Sequence, residues 1–494
     1  MITRRQFLKL AGVVAVVPWG CAELATRPQG TLLNDVHSKL NSTLVREVVT
    51  VRSVQDIQRV VERASRSHAA VSVAGGRHAM GGQQFGQDTL HLDTRLFNRM
   101  LNFDSRSGLI EVEAGMQWPE LIRTSLSIQD GAARQWGIVQ KQTGADRLSM
   151  GGALSANIHG RGLKLKPFVG DLESFNLVMA NGRVLTCSRS QNAELFRLAV
   201  GGFGLFGVVS SVTLQLVPRR KLQRVVELVR TDDVMTRFEQ RIRDGFLFGD
   251  CQFAIDPASD DFLRRGIFSC YRPVDPGTPI PDGQREIAEE QWLRLLYLAH
   301  ADKSKAFDVY ANEYLATDGQ LYWSDTHQMS YYPDGYHEGV DRKLGAASVG
   351  SEMISEFYVP RAELAAFFGD MREDFRTHGV EVIYGTIRLI ERDDETFLAW
   401  AKQPWACTVL NLHVSHTPVG IERAEAAFRR LIDLARKRGG SYFLTYHRWA
   451  GREQVEACYP QFPDFLKAKR RFDEEDRFQS NWYRHYRNLF ADKV

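Results

Sequence analysis

Residues 71–85, VSVAGGRHAMGGQQF, constrain this chain more than any other run, because a glycine pair and a histidine follow directly on a short alternating strand. Gly75 and Gly76 carry no Cβ, so positive φ is open to them and their N–H groups can turn toward an anion, as a nest does for a diphosphate. Arg77, His78 and Ala79 come next, setting an imidazole beside whatever the glycines hold, and Gly82 and Gln83 close the loop. A glycine-rich turn with a solvent-facing histidine is the plainer reading of the same letters.

Two later segments bear on that choice. Residues 148–162 read LSMGGALSANIHGRG and present Gly151, Gly152, Ser155, His159 and Gly160 in a second small-residue run. Residues 171–218 contain the hairpin pattern ESFNLVMANGRVLTCS, the helical run NAELFRLAV and then GGFGLFGVVSSVTLQLVP. Gly202, Gly204 and Gly207 satisfy the dinucleotide fingerprint GxGxxG, but that motif needs a strand before it and a helix after it. Here the order is reversed, so the glycines read as a tight helix-to-strand turn and a Rossmann site is excluded.

In this order the three segments resemble flavoproteins of the vanillyl-alcohol oxidase superfamily, with its PCMH-type FAD-binding domain. Residues 71–85 are similar to the GRGHSxxGQ or GxRHS loop of cytokinin dehydrogenases and of aldonolactone and alditol oxidases, and residues 148–162 are similar to their VGGAISTGTHGTG run. The resemblance implies an α+β fold, FAD as cofactor and a covalent link from His78 to the flavin 8α-methyl. Ala79 stands where the family has Ser, removing one hydrogen bond to the flavin. The cofactor-binding set it implies is Gly75, Gly76, Arg77, His78, Ala79, Gly82, Gln83, Gly151, Gly152, Ser155, His159, Gly160, Val208 and Val209. Some relatives add a cysteinyl link, but no Cys lies between His78 and Cys187.

The N-terminus, TRRQFLKLAGVVAVVPWGCA, has paired Arg4 and Arg5, then Phe7, Leu8 and Lys9 ahead of a short apolar run. This matches a twin-arginine export signal, with cleavage after Ala22 and a periplasmic or secreted destination. The translocase is then a partner, and folded export suits an enzyme that loads its cofactor inside the cell. The apolar run is shorter than the ~20 residues of a membrane span. Lipidation at Cys21 is the less favoured fate, because Pro18–Gly20 make a poor lipobox. The formal charge of +3 comes from Arg4, Arg5 and Lys9, so the mature chain is neutral and nothing points to nucleic acid. Of the six cysteines none has CxxC or zinc-like spacing, and no metal is expected.

With 494 residues, 44% of them hydrophobic, the chain can bury a large core across two domains. The expected organisation is a signal over 1–22, a tether over 23–44, the FAD-binding domain over 45–218, an α+β substrate or cap domain over 219–440, and a C-terminal segment over 441–494 that returns to the FAD domain. Ser53 reads as an N-cap with Asp56 three residues on, and Ile57, Val60, Val61 and Ala64 share one face of the helix that follows. Residues 319–338 read as an aromatic loop; Tyr322, Trp323, Tyr331, Tyr332 and Tyr336 either line a substrate entrance or pack at the surface.

Oxidation at a flavin calls for a donor or positive charge near the ring and a group that assists proton removal. TIRLIERDD at 386–394 looks like the EVRTVAADD strand of the alditol and gulonolactone oxidases, which places Arg388 on the family's catalytic Arg and Thr386 on its Glu. VLNLHVSH at 409–416 resembles the AIHFTW strand. Alternation puts Asn411, His413 and Ser415 on one face and His416 on the other, against an HxxH metal pair. His413 reads either as an active-site group in the same cavity as Arg388 or as a satisfied core histidine. Tyr446, His447 and Arg448 fall where relatives have PHWGK. The function implied is oxidation of a CH–OH group of a small polar substrate such as a sugar lactone or polyol, with O₂ or a periplasmic acceptor taking the electrons. The alternatives are amine oxidation of the cytokinin-dehydrogenase kind and a non-catalytic exported binding protein on the same fold.

Overall fold

The computed structural model describes residues 30–330, 333 and 335–494. The export signal, Cys21, residues 23–29 of the tether, Tyr331 and Tyr332 lie outside the described residues. The fold is α+β, built from two sheet systems that meet across a cleft.

One system begins with a three-stranded parallel sheet, Glu47–Thr50, Leu90–Asp93 and Val71–Ala74 in that spatial order. Helix Val54–Arg66 covers it. Ser53 Oγ accepts from the Asp56 backbone N–H, capping one of the donors a helix leaves open, and Ile57, Val60, Val61 and Ala64 are buried. Beside it stands a five-stranded antiparallel sheet ordered Val184–Ser188, Leu172–Val178, Val208–Gln215, Leu109–Glu113 and Met100–Asp104. Helix Ala193–Ala199 precedes the glycine turn and strand Val208–Gln215 follows it, the order that excludes a Rossmann site. Gly201 and Gly204 both take φ +73° there.

The second system is one eight-stranded antiparallel sheet. Its order is Leu321–Trp323, Lys221–Arg230, Arg265–Pro273, Phe248–Phe253, Val382–Ile390, Trp405–Ser415, Gly350–Pro360 and Ser441–Tyr442. One face packs on helices: Phe357 of the sheet meets Phe428 of helix Pro418–Lys437 at 5.9 Å. Period-two alternation turns the other face, with Ile354, Glu356, Arg388 and Val409, toward the cleft.

After the sheet the chain returns to the first system. Val71 N–H donates to the Arg477 carbonyl at 2.7 Å and its carbonyl accepts from Gln479 N at 2.9 Å, while Arg477 Nη1 reaches the Ala64 and Ala69 carbonyls. Residues 319–338 are only partly a loop: strand Leu321–Trp323 pairs with Lys221–Gln223 and helix Tyr336–Leu344 starts inside the run. Tyr322 packs on Tyr271, Trp323 lies under Arg219, and Tyr336 is buried, so none of these three lines the cleft.

Candidate active site

The cleft runs between the glycine-rich loops and the large sheet and opens to solvent. Its floor is glycine-lined. A Cβ on Gly75 would run into the Ser149 hydroxyl and one on Gly76 into the Arg147 carbonyl, so close approach of backbone excludes any larger residue. Positive φ falls instead on Arg77 (61°) and Gly82 (77°). Ser149 caps helix Met150–Ala156 through the Gly152 N–H, and Gly151, Gly152 and Ser155 present the short side of that helix to the cleft.

Of the residues singled out from the sequence, Gly75, Gly76, Arg77, His78, Ala79, Gln83, Gly151, Gly152, Ser155, His159, Val209 and Arg388 line the cleft. Four do not. Gly82 packs against Arg448 and Asn41, and Gly160 lies against the Lys141 carbonyl. Val208 joins the apolar cluster of Val71 and Leu90, because alternation sends its side chain away from the face that Val209 presents. His413 shares a face with Val409 but stands four residues on, roughly 13 Å along the strand. Its neighbour there is Glu352, whereas His416 bonds Ser351 on the opposite face.

His78 is held from outside its loop. Its Nδ1 lies 2.8 Å from His37 Nε2, so the pair shares one proton and Nε2 of His78 is left for another partner. Burial, with the charge of Arg147 added, lowers His78 to about 4 and keeps the imidazole neutral near neutral pH. Arg77 turns back to Asp93, and Gln83 donates to the Thr445 carbonyl, tying the loop to the chain beyond the large sheet.

Across the cleft, Arg388 is 6% exposed and its Nε has no hydrogen-bond partner among the described residues. A buried guanidinium keeps its charge and its five donors, so one left unpaired at a cavity wall is set for an anionic or carbonyl oxygen. Glu356 stands beside it and is fully engaged: His159 Nε2 at 2.7 Å and Tyr358 OH at 2.9 Å on one oxygen, Tyr446 OH at 2.6 Å on the other. Burial opposes its charge, but His159 and the Tyr446 hydroxyl outweigh burial and hold the carboxyl at about 2. His159 Nδ1 faces the Gly160 carbonyl at 3.1 Å, so both ring nitrogens meet oxygens.

Sequence reasoning missed Glu356, which no local motif marks, and left Tyr446 without a role. It also missed Asp250. Thr386 Oγ1 meets Asp250 Oδ2, on the neighbouring strand, at 3.4 Å. Arg161 Nη1 lies 3.8 Å from Asp250, and its guanidinium stacks on Tyr271.

Residues 45–188 match the family model described as an FAD binding domain. An uncharacterized oxidoreductase of the fasciation locus in Rhodococcoides fascians is 28% identical over 44% of this chain and 48% of its own length. Bovine L-gulonolactone oxidase is 28% identical over 40% of this chain and 43% of its own length. Arabidopsis thaliana cytokinin dehydrogenase 1 is 26% identical over 37% of this chain and 32% of its own length. The chain thus spans less than half the length of each of these relatives.

Proposed function

We propose, for a chain that carries an FAD-binding domain of the PCMH type on an α+β fold, that it is an exported FAD-dependent oxidoreductase acting on a CH–OH group of a small polar substrate. When bound, FAD supplies a two-electron acceptor for the hydride of the substrate C–H bond. The residues fit that cofactor: Gly75, Gly76, Gly151 and Gly152 line the cleft with backbone on which a diphosphate can lie, and His78 offers Nε2 for covalent attachment. O₂ or a periplasmic acceptor then takes the electrons, and the twin-arginine translocase carries the folded chain out.

The observation that carries this reading is Arg388, a buried guanidinium that lines the same cleft as the glycine floor. Its donors stabilise negative charge that develops on an oxygen in the cleft. Glu356 is an anchor rather than a base, since a carboxyl held at about 2 is poorly matched to proton abstraction near neutral pH. It fixes the Tyr446 hydroxyl and the His159 ring in place, and the apolar walls of Ile354, Val409 and Phe443 exclude water.

Anaerobic loss of visible flavin absorbance against a panel of lactones, polyols and amines tests the proposal. Bleaching by a lactone or polyol is the expected result. Bleaching by amines alone would move the reading to the cytokinin-dehydrogenase kind, and no bleaching by any member would sink the CH–OH assignment. A yellow colour that survives denaturation and is lost in His78→Ala tests the covalent link.

A further inference from the structure

Glu352 lies four residues before Glu356 on the same strand and the same sheet face, at the centre of a second cluster. His300, from helix Glu289–Ala301, brings Nε2 to 3.0 Å from Glu352 Oε1, and His413, from strand Trp405–Ser415, brings Nδ1 to 3.7 Å from the same oxygen. All three donor atoms lie within 4.8 Å of one another. The separations are close, but the geometry is not that of hydrogen bonds: His300 Nε2, His413 Nδ1 and Glu352 Oε1 are all buried without a hydrogen-bond partner among the described residues. Such orphaned atoms are rare in folded proteins and call for an explanation.

The other carboxylate oxygen shows what Oε1 is kept for. Glu352 Oε2 takes His337 Nδ1 at 2.6 Å and the Tyr336 hydroxyl. Two donors therefore fix the orientation of the carboxylate from behind while Oε1 points toward two imidazole nitrogens. That is the arrangement of a metal ligand set with its outer partners in place. Metal–ligand bonds of about 2.0–2.1 Å at a tetrahedral angle put ligand atoms about 3.4 Å apart, between the two separations measured here.

We propose that His300 Nε2, Glu352 Oε1 and His413 Nδ1 bind one divalent first-row transition-metal ion, of which zinc is the representative. Two imidazoles and one carboxylate suit such an ion better than calcium or magnesium, which prefer all-oxygen shells. His416 takes no part, because it points to the other face, and the ligands come together only through sheet register and one helix. The ion ties helix Glu289–Ala301 to the two strands that also carry Ile354, Glu356 and Val409 on the cleft.

The test is metal content of the full-length FAD-loaded protein, stripped with a chelator and then titrated with zinc. One equivalent of zinc per chain is expected in the wild type, with a higher Tm and visible bands on cobalt substitution that report nitrogen ligation. His413→Ala keeps its FAD content and weakens zinc affinity at least about 100-fold, beyond the ~10- to 100-fold expected of the outer variant Tyr336→Phe. Glu352→Gln, scored by its FAD content and by cobalt spectrum, provides the second ligand variant. Failure of the wild type to hold zinc at micromolar concentration overturns the proposal, and so does stoichiometric zinc binding that His413→Ala and Glu352→Gln both retain.

Discussion

Glu352 and Glu356 share one strand, one face and deep burial, and each carries a histidine and a tyrosine, yet they end in different chemistry. At Glu356 both oxygens are taken by protein donors, so the charge is settled and its duty is to hold its neighbours. At Glu352 one oxygen is taken and the other waits. Burial alone does not distinguish an anchoring carboxylate from a ligand; the count of donors on each oxygen does.

The strongest way to break the comparison is Glu356→Ala. Removing this buried carboxylate leaves the His159 ring and the Tyr358 and Tyr446 hydroxyls without their shared partner, and chemical unfolding should show a loss of ~3–5 kcal/mol. Arg388→Ala should keep its flavin yet slow anaerobic flavin reduction about 10²- to 10³-fold, the effect of losing one preorganised donor. A wild-type rate in stopped flow would remove Arg388 from the chemistry. Tyr446→Phe strips one donor from Glu356 and should cost ~1.5–3 kcal/mol, the range for a hydrogen bond to a charged group. A pH series gives the smallest effect. The Glu356 carboxyl sits at about 2 in the folded protein against an ordinary 4.5, so its stabilisation is whole above pH 4.5 and is lost as the pH falls through about 2. Unfolding free energy of Glu356→Gln should therefore fall less steeply than that of the wild type in this window, by up to roughly 1.4 kcal/mol per pH unit. Equal slopes would mean that Glu356 is not the paired carboxylate described here.

The glycine floor was legible from sequence because its meaning is local: Gly75, Gly76 and His78 act within one loop, and Gly151 with Gly152 within one short helix. Helix Val54–Arg66 was legible for the same reason, since cap and apolar face lie in one run. The large sheet was harder. Arg388 could be placed by its motif, and alternation assigned His413 and His416 to opposite faces, but position along a strand relative to a cavity depends on the register of its neighbours. Glu356, Asp250 and Glu352 have no motif around them; strands distant in sequence give each its partners. Tyr336 read as part of a loop because its helix begins in an aromatic, turn-rich run, and its partner Glu352 comes from a strand that no local pattern brings there.

The backbone bonds between Val71 and residues 477 and 479 have a consequence for how the protein is made. Strand Val71–Ala74 leads straight into the glycine floor, yet its outer edge is completed by a segment more than 400 residues further along the chain, as the Arg477 contacts with Ala64 and Ala69 also are. While that segment is still inside the ribosome, the strand has an open edge and the Arg477 side chain is missing from the Ala64 and Ala69 carbonyls. These bonds therefore form only after residues 477–479 have emerged, and the strand that leads into the glycine floor is complete at Val71 only then.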